Sequence, residues 1–264
     1  MLYISTFAAT AWYYDAIPNK PASLETFIHE VEQFAIDEYA PALLKGYAIS
    51  AEEKQVIADK LGRYTGTSPQ FWLRADLRVK HTTFLQELLR DRGLIAGRID
   101  SRFSGPSLNA LNDEMDYDPF FPAVGPAYTS AFRHYLHSEL KFDVPDEYVV
   151  SGQLYKKWDW SHEQPGAEGN EDGKVPVTNT LPDLALAMTM NPGLHLLVEQ
   201  GYYDLATPSH ALKYNLNQLR LTPETRGRIH VNYHGAGHMM YLHEESGRAF
   251  RESVVGFIRE TDRL

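Results

Sequence analysis

The amino-acid sequence predicts an α/β protein, in which a mostly helical part comes before a part where helices and strands alternate. From about residue 182 onward, helical and strand patterns alternate, which is typical of a parallel sheet covered by helices on both faces. The segment from 23 to 93 carries apolar residues at helical spacing and has no convincing strand pattern. The 264 residues, 43% of them hydrophobic, are enough to bury a core as one large domain or as a domain with a cap.

Each helix of the first part is predicted from an N-cap residue that precedes apolar residues on one face. The predicted starts are Ser23, Ser50 (with Glu53 as a capping box), Ser68 (before Pro69) and Thr82 or Thr83. The first helix is expected to run towards Pro41 or a little beyond, and the last to end near Gly93.

The middle of the chain has weaker patterns. Isolated apolar residues among Gly, Ser and Arg predict extended chain or loop between 94 and 109. A helix follows, with its apolar face formed by Tyr128, Phe132, Tyr135, Leu136 and Leu140. The polar, glycine-rich stretch 161–173 is predicted to be a mobile loop.

The last part of the chain supplies the α/β pattern. The predicted elements are a helix at 182–190, a buried strand at 194–198, a helix at 209–219, a strand at 229–233 and a closing helix at 244–260. One or two further core strands are expected near 95–103 and 146–150.

Asp204 and His238 each follow one of the two convincing strands, where the active residues of parallel sheets lie. They are 238 − 204 = 34 residues apart, enough for one helix and one strand, so both are expected at the same sheet edge. An aspartate that accepts the Nδ1 proton of a histidine fixes its tautomer for general-base catalysis, and Asp before His is the chain order of the α/β-hydrolase triad. On spacing alone, a helix-capping Asp and a solvated loop His explain the pair equally well.

The residues around this pair resemble the catalytic Asp and His segments of the bacterial branch of the serine carboxypeptidase family. The two segments are 201–208 (GYYDLATP) and 236–242 (AGHMMYL). The resemblance extends along the chain through 6–13 (TFAATAWY), 39–46 (YAPALLKG), 100–106 (DSRFSGP), 117–119 (YDP) and 158–160 (WDW). The Gly-His-Met motif is short, but together with the other matching segments it is specific.

The resemblance implies the C-terminal portion of an α/β-hydrolase sheet with a helical cap insertion. Residues 1–20 would lead in from the sheet, 21–145 would form a mostly helical cap region, and 146–264 would form the part of the core that carries Asp and His. The implied activity is that of a serine-type carboxypeptidase, which hydrolyses the C-terminal residues of peptides through an acyl-enzyme.

The resemblance also implies roles for three residues. Asp204 would orient His238, and His238 would act as general base and then general acid. Met239 matches a position that in the family lines the pocket for the substrate's C-terminal residue.

The family's nucleophile lies in a Gly-x-Ser-x-Gly elbow, which this sequence lacks, since Ser68 and Ser107 have only the preceding glycine. We therefore expect the chain to supply only the Asp and the His and to be inactive alone. Its expected partners are a peptide substrate and the missing N-terminal half of the same enzyme. Localisation stays open, with secretion or a periplasmic location plausible if a signal peptide precedes this sequence.

Composition argues against several other functions. A formal net charge of −10 disfavours nucleic-acid binding, and no apolar run is long enough to suggest a membrane partner. The absence of cysteine excludes disulfides, thiolate nucleophiles and Cys-ligated metals. Closely spaced histidines could suggest a metal site, but Gly235 and Gly237 argue against the helix it would need, so neither a metal nor a cofactor is expected.

Two other functions remain open from the sequence. One is a non-catalytic peptide- or protein-binding module that keeps the cap. The other is an α/β-hydrolase esterase or acyltransferase, because the same triad serves all of these enzymes and a fold does not determine the substrate.

Overall fold

The computed structural model describes residues 1–143, 149, 152–169 and 173–262. These residues form a mixed helix-and-strand protein with two small sheets. The chain divides into two compact units: one comprises Met1–Phe120, Leu197–Tyr214 and Val231–Leu264, and the other comprises Phe121–Leu196 and Asn215–His230. The division into 1–20, 21–145 and 146–264 follows the resemblance rather than the packing, and it stays a prediction.

The secondary-structure elements are as follows. The α-helices of the described residues are α1 (Ile4–Tyr13), α2 (Leu24–Phe34), α3 (Ala40–Lys45), α4 (Ala51–Thr65), α5 (Pro69–Arg74), α6 (His81–Glu87), α7 (Phe120–His134), α8 (Leu181–Met190), α9 (Ser209–Gln218), α10 (Pro223–Arg226) and α11 (Glu244–Thr261). The strands are β1 (Leu94–Ala96), β2 (Ser104–Pro106), β3 (Leu196–Gly201) and β4 (Ile229–His234). Short π-helical turns occupy Ala35–Tyr39 and Tyr135–Glu139.

Helix α1 forms the centre of the first unit. It packs against α2 and α4, and α4 packs against α5. Phe7 of α1 stacks on Phe84 of α6 with ring centroids 4.0 Å apart, and both side chains are buried. Trp72 is also fully buried and satisfies its indole N–H by donating to Thr67 Oγ1 at 2.8 Å. This apolar core supports the segments that lead to the candidate site.

The helix starts predicted from serine caps are confirmed. The hydroxyl groups of Ser23, Ser50 and Ser68 each accept a hydrogen bond from a backbone N–H of the first helical turn. Helix α6 instead begins at His81, just before the expected Thr82 or Thr83, and its N-cap makes no side-chain hydrogen bond. Without a capping side chain, the sequence gives no sharp signal for that boundary.

The first helix reaches past Pro41, as expected, through a change of helix type. Pro41 has no N–H to donate, which would interrupt a regular α-helix. A π-helical turn precedes the proline, and the N–H of Ala40 donates to the carbonyl of Ala35 within it. The wider turn therefore allows the chain to continue directly from α2 into α3.

The segment after Gly93 forms a hairpin. Strands β1 and β2 pair antiparallel, with Leu94 opposite Pro106 and Ala96 opposite Ser104. The expectation of an additional core strand near 95–103 was wrong in this respect, because these strands pair with each other and not with β3 or β4. The strand expected at 146–150 lies, apart from residue 149, outside the described residues.

Strands β3 and β4 form the second sheet. Leu196 N–H donates to Arg228 O, and Tyr202 N–H donates to His234 O. Both pairs are 32 positions apart, 228 − 196 and 234 − 202, and this constant offset shows that the strands run parallel. The buried strand expected at 194–198 is observed at Leu196–Gly201 and is largely half-buried, so both its position and its burial are corrected.

In the second unit, one arginine fixes the approach to β3. The guanidinium of Arg228 donates to the carbonyl oxygens of Met188, Asn191, Pro192 and Leu194. These carbonyls belong to the last turn of α8 and to the turn that follows it. The last carbonyl groups of a helix lack hydrogen-bond donors within the helix, so Arg228 stabilises this end of α8 by donating to them. Its bond to the Leu194 carbonyl also agrees with the start of β3 at Leu196.

Two other features of the second unit were predicted from the sequence. The predicted loop 161–173 is closed by an antiparallel bridge between His162 and Val175. The predicted helix is present as α7 and the π-helical turn that follows it, but Tyr128 of α7 and Tyr135 of the turn are about half exposed.

Candidate active site

Asp204 lies in the loop that follows β3, three residues after the strand ends at Gly201. Its side chain is almost completely buried. The carboxylate oxygen Oδ1 accepts hydrogen bonds from Ala206 N at 2.7 Å and from Thr207 N at 2.9 Å. These backbone donors fix the carboxylate in one orientation and leave Oδ2 for other partners.

His238 lies in the loop that follows β4, and its Nδ1 is 2.8 Å from Asp204 Oδ2. Because an ionised carboxylate only accepts hydrogen bonds, this contact places the proton of the neutral imidazole on Nδ1. The His238 side chain is 46% exposed. The arrangement thus has a buried, anchored acid and an exposed imidazole, with Nε2 left unprotonated for a proton transfer.

Thr207 is a third member of this cluster that the sequence did not single out. Its hydroxyl donates to Asp204 Oδ2 at 2.5 Å and lies 3.3 Å from His238 Nδ1. Asp204 therefore accepts from two backbone amides, one hydroxyl and one imidazole. A threonine three residues after the aspartate is the only sequence signal for this contact, and it is a weak one.

The two loops continue the pairing of the strands that precede them. Tyr203 N–H donates to Ala236 O at 3.0 Å, beyond the last paired residues of β3 and β4. A Cβ atom on Gly201 would lie 2.3 Å from the carbonyl oxygen of Ala236, so only glycine permits this approach. The close contact places Asp204 and His238 opposite each other.

A third segment, residues 98–102, runs beside both loops. Leu205 N–H donates to Arg98 O and Ser101 N–H to Tyr203 O, so the segment is bonded on both sides of Asp204. His238 N–H donates to Ile99 O at 2.8 Å. The segment is therefore hydrogen-bonded to both loops of the candidate site.

A buried tyrosine borders the site. Burial raises the pKa of Tyr203 to about 12, although the neighbouring guanidinium of Arg102 opposes the shift. The hydroxyl is therefore neutral over the usual working range of an enzyme. Tyr203 packs edge-on against Tyr13 with ring centroids 5.5 Å apart, and so joins the site to α1.

A cavity of about 290 Å³ lies in the same unit, lined by Tyr13, Arg102, Phe103, Leu242 and His243. Met239, for which the resemblance implies a place in the substrate pocket, is half-buried and is not among these lining residues. Its carbonyl accepts from Leu242 N at 3.0 Å in the turn after the histidine. Its role in substrate binding stays a prediction.

No serine of the described residues hydrogen-bonds to the His238 ring. Ser68 caps α5, and the Ser107 hydroxyl accepts from the Gln86 amide at 2.9 Å. Both serines therefore have structural partners away from the Asp204–His238 pair.

The neighbouring histidines have separate partners. His234 Nε2 is 2.5 Å from Glu199 Oε2 in a buried pair, and His243 Nδ1 is 2.8 Å from Ser246 Oγ. In the part of the chain that the structure describes, no group of three or more His, Asp or Glu side chains is arranged to hold a metal ion.

Comparison with protein-family models found no matching family, and searches of curated proteins and of solved structures found no match. Within the described residues, no helix has both the length and the apolar character required to span a bilayer. The catalytic roles of Asp204 and His238 stay predictions that rest on the geometry and on the resemblance.

Proposed function

We propose that this chain supplies the Asp and the His of a serine-type carboxypeptidase with an α/β-hydrolase fold. The observation that carries the proposal is the 2.8 Å contact between His238 Nδ1 and Asp204 Oδ2, formed in loops that follow two adjacent parallel strands. This is the position and chain order in which α/β-hydrolases carry these two residues.

The chemistry of the pair fits acyl transfer. His238 Nε2 would accept the proton of a serine hydroxyl as the hydroxyl oxygen attacks the scissile carbonyl, and it would return that proton to the leaving amine. Water would then attack the acyl-enzyme with the same histidine as base, releasing the acid and regenerating the serine. Asp204 would stabilise the imidazolium that forms in each step.

The nucleophile and the oxyanion hole are assigned to a segment outside this sequence, namely the missing N-terminal half of the same enzyme. The substrate is assigned as a peptide with a free C-terminus, with Met239 lining the pocket for its last residue. These assignments rest on the resemblance of the segments around Asp204 and His238.

The test compares the purified chain with the chain co-refolded with the upstream half, each assayed on a blocked dipeptide and on a simple ester. We expect no hydrolysis by the chain alone and hydrolysis of the dipeptide by the reconstituted enzyme. Hydrolysis by the chain alone that His238→Ala abolishes would reveal a nucleophile within it. A reconstituted enzyme that cleaves only the ester would indicate an esterase, and a stable complex inactive on both would indicate a binding module.

A further inference from the structure

We propose that Asp100 and Arg102 form a positioning pair that holds the loop of His238 so that its Nδ1 faces Asp204. This inference rests on the proposed function, because it assigns to the pair an effect on the general base. Asp100 and Arg102 hydrogen-bond to the backbone of the loop and not to the His238 ring, so the proposed effect on the general base is transmitted through the loop.

Asp100 is bonded directly to the His238 loop. Its side chain is 1% exposed, and its Oδ2 accepts from Gly237 N, the amide one residue before His238, at 3.1 Å. Its Oδ1 accepts from the backbone N–H of Arg102 at 3.1 Å and from Arg102 Nε at 2.9 Å. The carboxylate is thereby fixed between its own segment and the loop.

Arg102 bonds to the other end of the same turn. Its Nη2 donates to Asp100 Oδ2 at 2.6 Å, while its Nη1 donates to Gly235 O at 2.7 Å. Burial would lower the pKa of the Arg102 guanidinium, but the hydrogen bond and charge of Asp100 raise it above its usual value. The guanidinium therefore stays charged. Arg102 holds the loop at Gly235, and Asp100 holds it at Gly237.

The loop is shaped to fit this pair. A Cβ atom on Gly237 would lie 2.4 Å from the Cβ of Asp100, so the backbone passes the carboxylate at a distance that only glycine allows. Two glycines in the three residues before His238 would otherwise leave the chain many conformations. Because His238 itself is half exposed, few packing contacts of its own hold the ring.

Residues 98–102, which carry the pair, are held by hydrogen bonds to other parts of the first unit. Ser101 Oγ and Thr10 Oγ1 are 2.6 Å apart, which ties the segment to α1. Ile99 N–H donates to Asp118 Oδ2 at 3.1 Å. A rigid segment of this kind can transmit a fixed position to the loop, which a mobile one could not.

The experiment determines the tautomer of His238 in the full chain by long-range ¹⁵N–¹H NMR. The His238 resonances are assigned as those that are absent from the spectrum of the His238→Gln variant. The variants are Asp100→Asn and the double variant Asp100→Asn/Arg102→Gln, which removes both charges and so avoids a lone buried cation. Glu32→Gln is the matched control, because the Glu32 carboxylate is likewise buried in the first unit and paired with a cation, but its hydrogen bond goes to Lys213 Nζ at 2.7 Å and not to residues 98–102 or the His238 loop. Far-UV circular dichroism establishes that each variant is folded.

We expect the parent and Glu32→Gln to hold the proton on Nδ1, and both Asp100 variants to lose this preference while Asp204 is intact. A folded Asp100 variant that keeps the parent tautomer overturns the inference, and the double variant decides the matter if the single one does not fold. Asp204→Asn separates the two proposals: if it leaves the tautomer unchanged, the Asp204–His238 pairing fails. If it shifts the tautomer while the Asp100 variants do not, only the inference drawn from Asp100 is lost.

Discussion

At the scale of single residues, Asp204 is the most constrained member of the candidate site. Its carboxylate accepts four hydrogen bonds, three of which come from its own loop. The fourth comes from His238 Nδ1 and fixes the orientation of the imidazole ring. An asparagine at this position keeps an acceptor oxygen for the loop amides, so Asp204→Asn should alter the histidine more than the fold.

We predict that Asp204→Asn lowers kcat of the reconstituted enzyme on a blocked dipeptide by about 10⁴-fold, because an amide at this position favours the wrong tautomer of the catalytic histidine. Steady-state kinetics measure the loss. The matched control is Asp183→Asn, since Asp183 forms a similar contact with His162 at 2.9 Å in the other unit. Equal losses in both variants would contradict a specific role for Asp204.

A second prediction at this scale concerns pH. His210 is 4% exposed, and burial lowers its pKa below the usual 6.5, which the nearby Glu32 only partly offsets. The unfolded chain therefore binds this proton more tightly than the folded protein does. The stabilising contribution is complete above about pH 6.5 and declines as the pH falls, by at most about 1.4 kcal/mol per pH unit.

Urea unfolding at pH 8 and pH 5.5 tests this contribution of His210. We expect the free energy of unfolding to fall less between these pH values in His210→Gln than in the parent. At pH 8 the imidazole is neutral in both the folded and the unfolded state, so the difference in unfolding free energy between the parent and His210→Gln at this pH measures the packing cost of the substitution. An identical pH dependence in the two proteins would refute the assignment.

At the scale of secondary-structure elements, a buried polar cluster joins β3, β4 and α11. Glu199 of β3 pairs with His234 of β4, and it also accepts hydrogen bonds from Ser253 of α11 and from Asn232 of β4. The Glu199 and His234 side chains are each less than 10% exposed. Together these contacts fix the two strands whose ends carry the candidate site.

We predict that Glu199→Ala lowers the free energy of unfolding by on the order of 3 kcal/mol, because it leaves the buried His234 and the half-buried Ser253 without this acceptor. Chemical denaturation measures the change. Glu244→Ala is the control, since the Glu244–Arg248 pair of α11 is largely exposed and should contribute little. Similar losses for the two variants would mean that the cluster contributes no more than a surface ion pair.

The same scale shows what the sequence could predict. Ser23, Ser50 and Ser68 announce their helices because a capping hydroxyl acts on amides three residues away. Helix α10 was missed although Thr222 before Pro223 is the same signal as Ser68 before Pro69. Local signals of this kind are readable because both partners lie in one short stretch.

The parts that could not be predicted depend on distant partners. The start of β3 is set by Arg228, which takes the carbonyl of Leu194 and so keeps that residue out of the strand. The contact of Asp100 with Gly237 spans 137 positions, and nothing in either local sequence indicates it. The Asp204–His238 contact was predictable because both residues follow adjacent strands, which fixes their positions by topology.

At the scale of the whole molecule, every contact that orders Asp204 and His238 lies within the first unit. Within the described residues, the sheet that carries the two loops consists only of β3 and β4, so each of these strands has one edge without a strand partner. Large apolar side chains are exposed as well, including Leu44, Tyr47 and Phe121. Exposed apolar side chains of this kind favour association where they form a contiguous patch.

We predict that the isolated chain binds a hydrophobic dye and self-associates, and that adding the upstream half of the proposed enzyme reduces both effects. The reason is that strands and helices supplied by that half would pair with the free sheet edge and cover apolar side chains. Dye fluorescence and sedimentation velocity, recorded with and without the upstream half, measure the two effects. A lysine-rich chain of similar size serves as the control for non-specific association with this acidic protein, whose net charge is −10. A monodisperse chain that melts cooperatively and binds no dye would instead be an autonomous domain, and the assignment of a missing half would then fail.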